Sequence, residues 1–215
     1  MSNLKCDSDH RIISPQVDLH VHSVASGHAF STIEEITRAA AAKGVTGVGM
    51  SDHGPNILDG GKVDLEDEYL HCLDVVLAGF HADCGYTGSS LGQNTDTMML
   101  AMENPLVQII SHPGNPEFPV DHLAIVQQAQ QTGTALEINN SSFNNARLGS
   151  APNCLEIARL CAEYGAQVAI GSDAHIAMSV GELSDALAVV HQAGIRAQQV
   201  VNRTLESTLE FLGCK

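Results

Sequence analysis

Short apolar runs alternate along this chain with longer stretches of mixed character. The runs at 17–22, 45–50, 74–80, 107–111, 134–138 and 167–171 are five to seven residues long and draw on Val, Ile, Leu and Ala. That length and content predict buried strands. Between them lie helical signals. Ser31-Thr32-Ile33-Glu34 has the form of a capping box opening a helix to Lys43, with Gly44 as its stop. Residues 63–72 predict a short acidic helix, and Asn94 is placed to cap a helix reaching about residue 104. Further helices are expected over 121–132, 152–164 (Pro152 in its first turn), 181–192 and 203–212, the last two flanking a short segment at 198–201. The stretches 54–62 and 85–92 are rich in Gly and turn-forming residues and read as loops. Strands alternating with helices in this way imply βα units, hence an α/β fold built on a parallel sheet.

The polar residues that interrupt this pattern are not scattered. Asp18-Leu19-His20-Val21-His22 occupies the first strand, His28 follows on its loop, and Asp52-His53, His81, His112 and Asp173-Ala174-His175 lie at the C-terminal ends of four others. That end of the strands is where an α/β sheet or barrel carries its site. Residues i and i+2 of a strand share a face, so His20 and His22 can reach one ion. Asp18 shares that face one step deeper, behind the ligands. In sum seven His and one Asp (His20, His22, His28, His53, His81, His112, Asp173, His175) are candidate ligands, more than one tetrahedral ion can use. Imidazole with carboxylate suits zinc, with manganese and iron as alternatives, better than magnesium or calcium. A polynuclear site of this kind activates water and clamps an oxyanion, and a phosphoryl group is its natural partner. Arg147, on the polar loop after the fifth strand, is the candidate phosphate-binding side chain. His10, His71, His122 and His191 fall in the lead-in or on helices and are expected in solvent.

Composition narrows the picture further. The chain has 215 residues, enough for one domain, with residues 1–16 as a polar lead-in and 17–215 as the folded unit. Its formal net charge is −15, with only ten Lys and Arg, which argues against nucleic-acid binding. No signal peptide or membrane-length apolar run is visible, and the six cysteines show no C-x-x-C pair. Reduced thiols and a cytoplasmic location are the expectation. No G-x-G-x-x-G or Walker sequence follows a strand, which weighs against nucleotide-binding sheets.

Taken together, the D-L-H-V-H, S-D-H-G-P, A-G-F-H, S-H-P-G-N-P, L-E-I-N-N-S-S-F and G-S-D-A-H segments resemble the PHP (polymerase and histidinol phosphatase) domain family, and within it the YcdX-type probable phosphatases. The resemblance runs from about Val17 to Leu212. It implies a distorted (βα)7-type barrel with a trinuclear metal site, usually zinc, hydrolysing a phosphate ester of a small molecule by metal-bound hydroxide. It groups His20, His22 and Asp173 on one ion, His81 and His112 on a second, and His28, His53 and His175 on a third. The chain departs from the family pattern at one place. Only 20 residues separate His53 from Asp74. The family's intervening βα unit, about thirty residues carrying a Glu that bridges two metals, has no counterpart after Asp59. Six main parallel strands are therefore expected. Asp59, Asp64, Glu66 and Glu68 are the acids near the gap.

The missing Glu sustains a competing reading, a metal-binding PHP-fold protein with weakened or lost catalysis. A metal-dependent amide or lactone hydrolase is a third, disfavoured because no Lys ends a strand. The substrate's identity is not encoded in the loops, and a homo-oligomer stays open.

Overall fold

A computed structural model describes residues 15–82, 84–144 and 147–213. Most of the expected lead-in, including His10, lies outside the described residues. The elements run β1 (Val17–Val21), α1 (Ile33–Ala42), β2 (Gly47–Met50), α2 (Asp67–Leu70), β3 (Leu77–Ala78), α3 (Leu91–Met102) and β4 (Ile109–Ile110). They continue through α4 (His122–Thr132), β5 (Ala135–Asn139), α5 (Ser150–Tyr164), β6 (Val168–Gly171), α6 (Ser184–Ala193) and α7 (Leu205–Phe211). All ladder pairings between these strands are parallel. The six expected strands and the α/β class are therefore found.

The strands form two sheets, β1-β2 and β3-β4-β5-β6, rather than one closed barrel. Two irregular segments lie along their edges. At one junction Val21 bridges Ala174, and the His22 amide donates to the Ala174 carbonyl at 2.8 Å, so the β1 end meets the chain leaving β6. The 200–203 segment lies beside β6 and the start of β1: the Val201 amide reaches Val168 and the Gln16 amide reaches Arg203. At the other junction, between β2 and β3, the Ile57 amide donates to the Gly79 carbonyl at 2.9 Å. Here Asn56 and Ile57 cover part of the β3 edge, which would otherwise expose unpaired backbone groups. Asp64 holds that segment by accepting from the Asn56 amide and side chain at 2.6 and 2.5 Å.

Several boundaries differ from expectation. The first capping box is one residue later: Thr32 and Glu35 exchange bonds, while the Ser31 hydroxyl accepts from the Ala177 amide. Ser90, not Asn94, caps α3, and Asn94 is buried inside it, bonded to Tyr86 and the Pro119 carbonyl. The acidic helix shrinks to one turn, α2. β3 and β4 are only two residues long, although the Ser111 amide still donates to the Ala78 carbonyl at 2.9 Å. His71 and His191 are exposed as expected, but His122 is half-buried and paired with Glu156 at 2.9 Å.

The main core unites one face of the sheets with α3, α4, α5 and α6 through Ile110, Ile125, Leu136, Ile157, Ile170 and their neighbours. Cys154 and Cys161 lie in buried positions, where burial pushes their thiols up to about 11 and about 12, so they pack as small apolar side chains. Asn202 pins the base. Its side chain donates to the Val17 and Ile170 carbonyls, both at 2.7 Å, and accepts from the Ile170 amide at 3.0 Å. Asn202→Ala leaves these buried backbone groups without partners. It is expected to lower the unfolding free energy by about 3 kcal/mol, measured by denaturant titration.

Candidate metal centre

The eight candidate ligands come from five separate stretches of chain, and the fold brings all of them to one end of the sheets. Three groupings emerge from the distances. His20 Nε2 and His22 Nε2 are 3.1 Å apart and lie 3.4 and 3.2 Å from Asp173 Oδ1. His28 Nε2 lies 3.2 Å from His53 Nε2 and 2.9 Å from His175 Nε2. His81 Nε2 and His112 Nε2 are 3.2 Å apart. His22 also lies within reach of His53 and His175. One imidazole nitrogen has one lone pair, and the nearby carboxylate favours assigning His22 to the Asp173 group.

The outer ring nitrogens are held by the protein, and this sets which nitrogen faces inward. His20 Nδ1 donates to Glu137 Oε1 at 2.7 Å. His22 Nδ1 donates at 3.0 Å to the Ser26 hydroxyl, whose own proton goes to Asp52 Oδ1 at 2.6 Å. His175 Nδ1 donates to the Asp173 carbonyl at 3.0 Å. Each arrangement turns Nε2 toward the centre, as a partner behind a ligating imidazole does. Asp52 is thus a support, not a ligand: its oxygens also take the Ser23 amide and hydroxyl, fixing the loop toward His28. Asp18 serves the backbone, accepting from the Ser172 amide at 3.1 Å and the Gly181 amide at 2.9 Å.

Glu137 and Asn139 were not singled out as site residues in the sequence, yet both enter the site. Glu137 Oε2 accepts from the His112 amide at 2.8 Å, and Asn139 donates to Asp173 Oδ2 and Glu137 Oε2, each at 3.1 Å. The available signal was period two: in a fully buried strand, these two polar side chains share one face. Gly171 makes room for them, because a Cβ there would collide with Glu137 Oε1 and the His20 Cβ. Arg147 donates to Asp173 Oδ2 at 2.5 Å. His112 and Asp173 have positive φ angles of 33° and 56°. Such backbone costs on the order of 1–3 kcal/mol each and persists where surrounding structure enforces it.

Charge follows this geometry. Burial alone would lower His20, but Glu137 and Asp173 outweigh it and raise its pKa to about 9. Burial, then neighbouring imidazoles, depresses His53 to about 4, and burial with His53 and Arg147 depresses His81 to about 4. Burial drives His112 well down, so these rings are neutral near pH 7. Asp173 stays ionised despite its burial, because His20, His22 and Arg147 face it.

These residues fit divalent cations. Ring nitrogens converging at 2.9–3.2 Å, as bound ligands of one ion do, offer positions where a cation could replace a proton shared between two rings. Asp173 Oδ1 is buried and has no hydrogen bond, although it faces two of those nitrogens. Among the described residues, the acids near the gap do not join them. Asp59 is bonded to Thr87 and Asp64 to Asn56. Glu66 and Glu68 flank or lie within the exposed α2. Beside the cluster opens a cavity of 730 Å³, lined by His28, His53, His81, Arg147, Asp173 and Ile176 among others.

Fold and site together define an α/β protein with a histidine-rich centre at the C-terminal ends of parallel strands. The chain belongs to the PHP family: the PHP domain matches residues 18–206. It is 50% identical to a probable phosphatase of Syntrophotalea carbinolica, over 94% of this chain and 97% of that one. A probable phosphatase of Thermoanaerobacter sp. (strain X514) is 37% identical over 91% of this chain and 94% of that one. The Syntrophotalea alignment spans 233 positions against a chain of 215, so at least 18 positions of that relative have no counterpart here. The fold is similar to that of histidinol phosphate phosphatase from Lactococcus lactis, a crystal structure with zinc, L-histidinol and phosphate. The TM-score is 0.60 and the identity 14%, covering 84% of this chain and 94% of that one.

Two outcomes follow from the supports behind the ligands. In Glu137→Gln, one amide oxygen cannot accept from both His20 and the His112 amide, and ion affinity should fall about 10–100-fold by chelator competition. His20 holds a proton up to about 9 that an ion must displace. Apparent affinity should therefore rise with pH until that value, by about tenfold per unit where His20 governs binding.

Proposed function

We propose that this protein is a metal-dependent phosphatase that hydrolyses a phosphate ester of a small molecule. The observation that carries this reading is the convergence of seven imidazoles with the Asp173 carboxylate, four of the imidazoles lining one cavity with Asp173 and Arg147. In this reading His20, His22 and Asp173 hold one divalent ion, His28, His53 and His175 another, and His81 with His112 contribute to a third, with zinc the favoured metal. Bound ions would supply an activated water and the positive charge that stabilises a phosphoryl transition state. Family membership and the phosphatase names of its relatives support the same assignment.

The chain's own residues then have distinct tasks. Arg147 is the cationic side chain other than His on the cavity wall, and its guanidinium can fork onto phosphate oxygens while its present partner, Asp173, turns to metal. Glu137, Ser26 and Asp52 keep the imidazoles aimed. Asn139 holds the outer oxygen of Asp173, leaving Oδ1 for an ion.

The fold reading that accompanies this is a distorted (βα)7-type barrel lacking one βα unit, with the 54–64 segment lying over the gap. No helix among the described residues is long and apolar enough to cross a membrane. A cytoplasmic location belongs to the same proposal. One observation favours weakened turnover as the second reading: His81 and His112 lack a third protein donor among the described residues.

The purified chain, supplied with zinc or manganese, should retain at least one ion and hydrolyse an aryl phosphate but not a lactone. Less than one ion per chain would falsify the metal reading, and turnover only after restoring the lost segment would establish the second. Arg147→Lys removes the fork but keeps the charge. It should raise KM for the aryl phosphate by about tenfold, a hydrogen-bonding loss near 1.4 kcal/mol.

A further inference from the structure

The three donor groups are unequal, and the inequality has a chemical consequence. The group of His20, His22 and Asp173 offers two imidazoles and a carboxylate, all buried. The group of His28, His53 and His175 offers three imidazoles. Each supplies three protein donors, the number that leaves a catalytic zinc one open position. His81 and His112 supply two, and neither joins a three-member group of His, Cys, Asp or Glu among the described residues; the neutral Ser111 hydroxyl lies 3.4 Å from His112 Nε2 and brings no charge. The nearest buried acid on their side, Glu137, is committed through Oε2 to the His112 amide and through Oε1 to His20.

Charge deepens the deficit. Asp173 is the one carboxylate among the eight donors, so three divalent ions would share a single carboxylate ligand, with Glu137 and Asp52 acting only from behind the imidazoles. Arg147 adds to the positive field at this pair, because it lines the same cavity wall as His81. A cation there is short of a ligand and of a counter-charge at once. A phosphoryl group supplies both. It enters by the cavity that His81 and Arg147 line, and its oxygens are hard anionic donors.

Resting on the metal-centre reading above, we propose that the His81–His112 position takes its ion together with the phosphoryl group, so that binding of the third ion and of phosphate is coupled. Without phosphate the protein holds two ions; with it, three. Linkage makes the effect reciprocal: the ion that phosphate recruits must tighten phosphate by the same factor. The pair therefore acts as a substrate-completed site, and the third charge arrives when an ester is present to receive it.

The test is metal stoichiometry and phosphate affinity, read without turnover. Apo-protein is loaded with zinc, desalted with or without inorganic phosphate, and its metal is counted. Calorimetry then measures phosphate binding to the two-ion form, with and without one further equivalent of zinc. The expected counts are two and three ions, and the extra equivalent should tighten phosphate by about tenfold, within the usual range of coupling. His81→Ala, and His81→Gln where the alanine variant is unstable to denaturant, should keep two ions and lose both the third ion and the coupling. Three ions retained without phosphate, two ions in saturating phosphate, or a coupled third ion retained in the His81 variants each overturn the proposal. So does phosphate that fails to bind the two-ion form even with added zinc. Two ions in every condition would leave the metal centre standing. No ion in any condition would remove the centre and the coupling together.

Discussion

The Glu137 carboxylate is the interaction on which the centre depends. One oxygen receives the outer nitrogen of His20 from β1, and the other receives the His112 amide just beyond β4. Glu137 itself stands on β5, so a single buried group ties three strand ends at fixed separation. It also imposes a direction, since the His20 nitrogen it takes leaves the other facing inward. A carboxylate this deeply buried is stable only when charge-assisted bonds saturate it, and Asn139 completes the set.

The same logic recurs around the site with different partners. Ser26 and Asp52 form a relay behind His22, and a backbone carbonyl stands behind His175. In each case the supporting group is spent on orientation. What remains facing the centre is a set of lone pairs and one unbonded carboxylate oxygen. Folding this arrangement costs free energy, visible in the positive φ of His112 and Asp173, and the packed sheets and helices hold it in place. A bound cation converts that frustration into affinity.

The stretch between β2 and β3 shows how a sheet edge can be covered without a further strand. The edge of β3 is partly covered by Asn56 and Ile57, and Asp64 secures them. The repair is made of backbone bonds and one acid whose oxygens are both used. It restores the pairing of an exposed edge, but among the described residues it returns no ligand to His81 and His112.

Much of this was legible in the chain. Apolar runs of strand length, alternating with helical patterns, specified parallel α/β organisation because burial on both faces demands such runs. The period of two placed His20 and His22 on one face, and the recurrence of His and Asp at strand ends marked every candidate ligand. Boundaries near Ser31, Asn94 and the acidic 63–72 stretch read differently in the fold, because capping patterns one residue apart are nearly equivalent locally and tertiary bonds choose between them. Ser31, for instance, is claimed by the Ala177 amide. What only the tertiary structure decided is which donors meet, which ring nitrogen faces inward, and that Glu137 supports ligands. These depend on separations between residues more than a hundred positions apart, such as His20 and Glu137, and no local pattern encodes such a distance. The sequence by itself marked the candidate donors; the fold decided which of them meet, because grouping depends on distances between remote strand ends.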